Sequence, residues 1–370
     1  MNSLVSATIA PGNTLSEKNS ENGVLDIVKL VLSFFVVCIH TGVNTGSNVA
    51  DLHLMQGLFR IAVPLFFFTA GYYLFSKIPY DKKLDKESEK KVLAYARRIF
   101  RMYVIWSLFY LVYQVYEWCK GGIKIKDIII YLEYTLVRGD SYLHLWYLSS
   151  LFTGVFLVWL CRKFLSMSAT LAVSAILFVA GLFLFPYYFV IRPVVDSDSL
   201  LSFLYENYSR FIGSPRCGLF FGFIYVALGA VFSCKKIKLK RTICAAGIAV
   251  SAVAAFTELT LIDRNWSWES ATYGALQLSH IPLVIFIFCF VNSFAGVNIP
   301  HGKAVRKLST RVYLIHPAII IVLRFFPDFY NALSQPFVKG ITVFVISVAV
   351  SLLFVRLEKI RAFSFLKKLF

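Results

Sequence analysis

Residues 24–42, VLDIVKLVLSFFVVCIHTG, decide how the chain is read. The stretch is apolar enough to enter a membrane, yet it carries Asp26, Lys29 and His40. As a helix it separates Lys29 from His40 by about 16 Å along its axis, at 1.5 Å per residue. One ionisable group then sits near one face of a bilayer core and the other lies well across it. Such groups are costly at membrane depth and mark functional sites by default, which makes Asp26, Lys29 and His40 the candidate catalytic set. A neutral imidazole at position 40 suits proton abstraction from a hydroxyl near physiological pH. The competing readings are a histidine hydrogen-bonded between helices, an Asp26–Lys29 pair on one helix face, and a Lys29 that reaches back to the interface.

The rest of the chain has the same character. Of 370 residues, 58% are hydrophobic, and the mean hydropathy is +0.69. Both values exclude an ordinary soluble domain and point to an all-α polytopic membrane bundle. Ten apolar segments approach the roughly 20 residues needed to cross a bilayer: 24–43, 58–76, 99–118, 143–160, 169–191, 216–234, 242–261, 273–293, 309–326 and 337–356. The expected organisation is a flexible polar tail over 1–23, a ten-helix membrane domain over 24–357, and a basic tail over 358–370 that can lead to a soluble domain.

Positive charge sets the orientation. Nine Lys and Arg fall within 77–101, five within 235–241, three within 303–307 and five from Arg356 onward, while 43–57 has none. By the positive-inside rule both termini are cytoplasmic, in a plasma membrane. The net charge of +18 is then a topology signal and not a nucleic-acid surface. Residues 86–98 fit an amphipathic helix on anionic lipid. Trp118, Trp146, Trp266 and Trp268 fall near outer span ends, as an interfacial aromatic belt would. The outer loops 119–142 and 192–215 are long enough to cover a site. Seven scattered cysteines show no ligand-type spacing, and no P-loop, HExxH or GxSxG motif occurs, so no resident metal or nucleotide is expected.

Further polar residues punctuate the spans. Arg60 opens FRIAVPLFFFTAGYYLF (59–75); His144, Trp146 and Tyr147 lie in HLWYL (144–148); Arg216 enters with SPRCGLFFGFIYVALGA (214–230). Glu258 is a lone carboxylate in an apolar helix, for which a basic partner such as Arg60 or Arg216 is expected. Tyr313 and His316 share STRVYLIHPAIIIVLR (309–324) with Arg311 and Arg324. Structural ion pairs, interface anchoring and kink stabilisation are the alternatives for each. Together they suggest a polar cavity through the bundle, open on both sides.

These motifs resemble, in order, those of the acyltransferase-3 family, membrane enzymes that O-acylate surface polysaccharides and related acceptors. Residues 25–42 look like the family's first helix, where an arginine precedes a histidine by 11 residues; Lys29 stands at the arginine and His40 at the histidine. VPLFFFTAGYYLF is similar to the VPLFF–SGY helix, with Thr69 at the usual serine, and HLWYL, RCGLFFGFIYVALG and YLIHP resemble later motifs. The resemblance implies cytoplasmic acetyl-CoA or another acyl-CoA as donor substrate, with no tightly bound cofactor. Lys29 and the basic residues Arg97, Arg98 and Arg101 would hold the donor, His40 would be the base, and Arg60, His144, Trp146, Tyr147, Arg216, Glu258, Tyr313 and His316 would shape the acceptor site. The acceptor would be a surface glycan or a small hydroxyl compound. The membrane domain of vancomycin-resistance serine racemases is especially similar; that subgroup implies L-serine as the small molecule handled and transport as the alternative activity. Homo-oligomers are compatible with either.

Overall fold

The structure is a computed structural model that describes residues 22–370 apart from 44, 77, 79, 81–83, 212–213, 265–275, 298 and 336. The helices in chain order are α1 (Gly23–Thr41), α2 (Asn48–Phe75), α3 (Lys86–Gly121), α4 (Ile125–Glu133), α5 (Trp146–Phe164), α6 (Met167–Leu184), α7 (Pro186–Ile191) and α8 (Leu200–Phe211). They continue with α9 (Gly218–Cys234), α10 (Arg241–Arg264), α11 (His280–Asn292), α12 (Gly302–Arg324), α13 (Pro327–Ala332) and α14 (Val338–Leu357). No strand occurs among the described residues, so the fold is all-α. Residues 1–21 of the expected tail, Lys77, Lys82, Lys83, Trp266 and Trp268 lie outside the described residues.

The ten segments read from hydropathy coincide with α1, α2, α3, α5, α6, α9, α10, α11, α12 and α14. Six of these are long and apolar enough to cross a membrane by length and composition: α1, α2, α3, α6, α10 and α14. The other four fall short for visible reasons. Helices α9 and α11 are short, α5 carries Ser149, Ser150 and Arg162, and α12 begins with Lys303, Arg306 and Lys307.

One end of the bundle gathers the basic residues. There Lys163 pairs with Glu89 at 3.0 Å, Arg306 with Asp26 at 2.9 Å, and Lys235 lies over the Tyr80 ring. Asp85 caps α3: its carboxylate accepts the Ser88 N–H at 2.6 Å, which holds the acid below its usual pKa. The amphipathic stretch 86–98 is not a separate surface helix. It continues into the third span as one 36-residue rod.

Segment 119–142 is not a loop laid over the bundle. After α3 ends, α4 and the π-helical turn Tyr134–Arg138 fold back along it. Trp118 packs on Tyr131, the Tyr103 hydroxyl donates to the Thr135 carbonyl at 2.7 Å, and Ser107 meets Ser141 at 2.6 Å. Tyr142 stacks on Tyr110, which is 11 residues, or about 16 Å, short of the end of α3. This re-entrant hairpin carries residues 139–145 deep into the bundle. Its outward face is apolar, with Ile125, Ile129, Leu136 and Val137 exposed, while its internal charges neutralise each other through Arg138 and Glu133 at 2.7 Å. Irregular backbone at membrane depth is tolerated where protein buries it, and here it does.

The closest helix pair is α2 with α9. A Cβ at Gly71 would strike the Val226 carbonyl, and one at Gly229 would strike the Phe68 carbonyl and come within 2.7 Å of the Tyr72 nitrogen. Small residues let the two backbones touch. This contact, with α5 and α6 against α9, fixes the frame around which α1 and α12 set the site.

Candidate functional site

Three histidines from three separated parts of the chain meet inside the bundle. His40 comes from the last turn of α1, His144 from the re-entrant segment, and His316 from the middle of α12. Their ring centroids lie 5.3 Å apart for His40–His316, 5.2 Å for His144–His316 and 6.3 Å for His40–His144. His144 and His316 are buried and His40 is half-buried.

Pro317 explains how α12 carries a polar residue here. It lacks the N–H that would close a helix bond to the Tyr313 carbonyl. The neighbouring carbonyls are used by side chains: His316 Nδ1 lies 3.1 Å from the Val312 oxygen, and the Tyr110 hydroxyl donates to the Leu314 oxygen at 2.7 Å. A carbonyl only accepts, so Nδ1 of His316 carries the proton and Nε2 offers a lone pair. That Nε2 makes no hydrogen bond among the described residues, and neither do the two ring nitrogens of His144. Tyr313 donates to the His144 carbonyl, which ties the re-entrant segment to α12. Tyr110 and Tyr313 set their rings across His144 at 5.3 and 5.0 Å, and Tyr147 meets Tyr313 at 5.3 Å.

Two guanidinium groups belong to elements that border the cluster: Arg60 lies in a turn packed against α1, and Arg216 precedes α9, where its carbonyl accepts the Ser150 hydroxyl at 3.1 Å. Arg60 Nε donates to Gln56 at 3.1 Å, and Arg216 lies over the Trp146 ring at 5.1 Å. Trp146 is buried at 6% beneath that cation, so it is a wall of the site and not part of an interfacial belt. His144, Trp146 and Tyr147 are at the bottom of the re-entrant hairpin and not at an exposed span end. Past the end of α1, a cavity of about 140 Å³ lies between that end and the start of α14, lined by Thr41, Gly42, Val43, Leu333, Ser334, Gln335 and Lys339 and by none of the three histidines.

The other members of the expected set lie elsewhere. Asp26 does not pair with Lys29. It is buried and holds Arg306 through two bonds of 2.9 Å, Nε to Oδ1 and Nη2 to Oδ2, which clamps α1 to α12. Lys29 instead lies over the Tyr73 ring at 5.3 Å. Between Lys29 and His40 the same face of α1 carries Ser33 and Val36, both buried, so this face of the helix is packed and lines no open passage. Close helix packing fills the gap that the polar residues alone had suggested. Arg97, Arg98 and Arg101 are exposed at the basic end.

Glu258 does not pair with an arginine. Its carboxylate accepts Leu278 N–H at 2.8 Å, Ser279 N–H at 2.9 Å, the Ser279 hydroxyl at 2.5 Å and the Tyr187 hydroxyl at 2.8 Å. It staples the start of α11 to α10 and α7. Glu258→Ala leaves several of these donors without a partner at about 1–3 kcal/mol each when buried. The expected result is a thermal midpoint lowered by several degrees in detergent, read by differential scanning fluorimetry.

Sequence reasoning missed Tyr110, Tyr142, Ser107 and Ser141, which hold the hairpin against α3. The signal was a tyrosine and a serine on the inward face of an apolar helix, but their partners are more than 30 residues away in sequence.

An all-α bundle with several membrane-crossing helices, and with imidazoles and guanidinium groups at its core, defines a polytopic membrane protein with a polar internal site. Residues 22–356 match the family Acyl_transf_3, described as an acyltransferase domain, and the chain belongs to that family. Among curated proteins it is similar to two named amino-acid racemase from Enterococcus faecalis. One is 23% identical over 92% of this chain and 47% of its own length; the other is 25% identical over 58% of this chain and 29% of its own. A serine/alanine racemase from Enterococcus gallinarum is 22% identical over 91% of this chain and 46% of its own length. The chain thus spans about half the length of the curated relatives that it matches most fully. No solved structure matches it.

Proposed function

We propose that this protein transfers an acyl group, acetyl in the simplest case, from cytoplasmic acyl-CoA to a hydroxyl of an acceptor on the outer side of the plasma membrane, with both termini cytoplasmic. The observation that carries the reading is the convergence of His40, His144 and His316 inside the bundle, in a chain of the acyltransferase-3 family.

His40 takes the proton from the acceptor hydroxyl as its oxygen attacks the thioester carbonyl. The tetrahedral oxyanion then collapses, the C–S bond breaks, and coenzyme A leaves as the thiol once it receives a proton. Arg60 and Arg216 stabilise the oxyanion, because fixed positive charge in a water-poor site acts strongly. His144, His316, Tyr147 and Tyr313 surround the acceptor with neutral hydrogen-bonding groups, which suits a hydroxyl-rich molecule such as a glycan unit. Lys29, which lies over the Tyr73 ring, is the cation on the donor's side.

A second reading has support of its own. The relatives are named racemases, and this chain matches only part of each. In that reading the bundle is the membrane half of a larger protein and passes L-serine across the membrane. Purified protein in nanodiscs with labelled acetyl-CoA and hydroxyl acceptors separates the two: acetyl transfer supports the enzyme, whereas serine uptake into proteoliposomes that is indifferent to acetyl-CoA supports the transporter.

A further inference from the structure

Helices α3 and α12 touch where Tyr110 meets Leu314 and are bridged below that point, toward the basic end, by the last residues of the chain. Residues Arg361–Lys368 form a 3-10 turn, which carries buried Leu366 and half-buried Leu369 and Phe370 into the groove between α3, α12 and α14. Trp106 Nε1 donates to the Leu369 carbonyl at 2.9 Å, and Arg98 Nη2 donates to the Phe370 main-chain oxygen at 3.1 Å. The Phe370 ring lies 5.8 Å from Trp106, 6.1 Å from Phe354 and 5.0 Å from the Arg311 guanidinium.

Arg311 is the telling residue. It is only 4% exposed, and its Nη2 pairs with Glu358 at 2.6 Å. Its Nε and Nη1 are buried and make no hydrogen bond among the described residues. Idle donors on a buried cation are expensive, and a ligand with acceptor oxygens would use them.

The groove's inner end lies against the histidine site. Phe370, Trp106, Tyr110 and His144 form a continuous run of rings, with steps of 5.8, 5.9 and 5.3 Å. Arg311 precedes His316 on α12 by five residues, about 7.5 Å. At the basic end Arg98 reaches the segment that fills the groove, and Arg97 and Arg101 are exposed on the same turn of α3.

We infer that this groove is the binding site for the arm of a coenzyme A thioester, held shut by residues 366–370 until the donor displaces them. The inference rests on the acyl-donor reading above. The segment that fills the groove presents main-chain carbonyls to Trp106 and Arg98 and an apolar side chain to the interior. A pantetheine arm offers the same combination of amide carbonyls and alkyl chain. Its carbonyls take the donors of Trp106 and Arg311, its phosphates meet Arg97, Arg98 and Arg101, and its thioester reaches the histidines.

The test is acetyl-CoA binding by calorimetry to the full chain in nanodiscs. Leu366→Ala with Phe370→Ala is expected to bind at least 5-fold tighter than wild type, Arg98→Ala about 3-fold weaker and Arg311→Gln at least 10-fold weaker. Arg311→Gln leaves Glu358 without its partner, so a second measurement avoids that variant. Leu366→Cys, buried at rest, is expected to react with maleimide at least 5-fold faster at saturating acetyl-CoA, as read by peptide mass spectrometry. If acetyl-CoA binds wild type and all variants equally and leaves Leu366→Cys protected, the groove assignment is overturned while the acyl-donor reading stands. If acetyl-CoA binds none of them, including the loosened double variant, the acyl-donor reading falls and takes the groove with it.

Discussion

His40→Ala is expected to lower acyl transfer by about 10²–10⁴-fold, the range over which a positioned general base acts, with an unchanged elution profile and thermal midpoint. The chemistry needs a group that accepts a proton from a hydroxyl while the oxygen attacks. His40 sits in the last turn of α1, 5.3 Å from His316. The packing of α1 against its neighbours is carried by Leu32, Val36, Val37 and Cys38, all buried, so truncating the half-buried imidazole removes chemistry and leaves the helix in place. His40→Gln keeps a hydrogen-bonding side chain without a comparable base. It is expected to match alanine in rate, which separates proton abstraction from acceptor binding. Full activity in either variant would remove His40 from the mechanism.

Gly229→Val is expected to abolish folding rather than activity alone. At this position α2 and α9 are in backbone contact, and the new side chain would be driven into the Phe68 carbonyl and the Tyr72 nitrogen. Overpacking a core costs about 1–3 kcal/mol when side chains can yield, and more when only backbone is available to move. Moving either helix disturbs Gly71 against Val226 and, through α9, the Gly222–Ser150 contact with α5, where an added Cβ would already lie 2.6 Å from the Ser150 oxygen. The expected result is aggregated or degraded protein in membrane fractions, whereas Gly121→Ala, which meets open space at the end of α3, behaves as wild type. Wild-type stability in Gly229→Val would mean that the α2–α9 crossing is wrong.

Much of this fold is legible because membranes impose length. Each of the ten apolar stretches became a helix. What stayed hidden is the part that length does not govern. Residues 119–142 look like a surface loop, since Lys120, Lys124, Lys126 and Asp127 open the segment and a π-helical turn interrupts it. Its descent depends on hydroxyl pairs with α3 that have no sequence period. Partner choice was equally hidden. Asp26 prefers Arg306, 280 residues away, to Lys29 on its own helix, because only the guanidinium offers two parallel bonds to both carboxylate oxygens. Glu258 takes hydroxyl and amide donors because the start of α11 supplies them, and no spacing rule foretells that. The histidines were each visible as polar residues in apolar spans, but that three of them meet is a property of the folded bundle alone.

The central claim is that one bundle connects a donor on the basic side with an acceptor on the other. Proteoliposomes with the protein reconstituted in one orientation, labelled acetyl-CoA supplied only at the basic side and a hydroxyl-bearing glycan enclosed on the opposite side test it directly. The account predicts labelled acetyl ester on the enclosed glycan with wild-type protein and none with His40→Ala. Label that never reaches the enclosed glycan, while L-serine crosses the same membrane without acetyl-CoA, would contradict it.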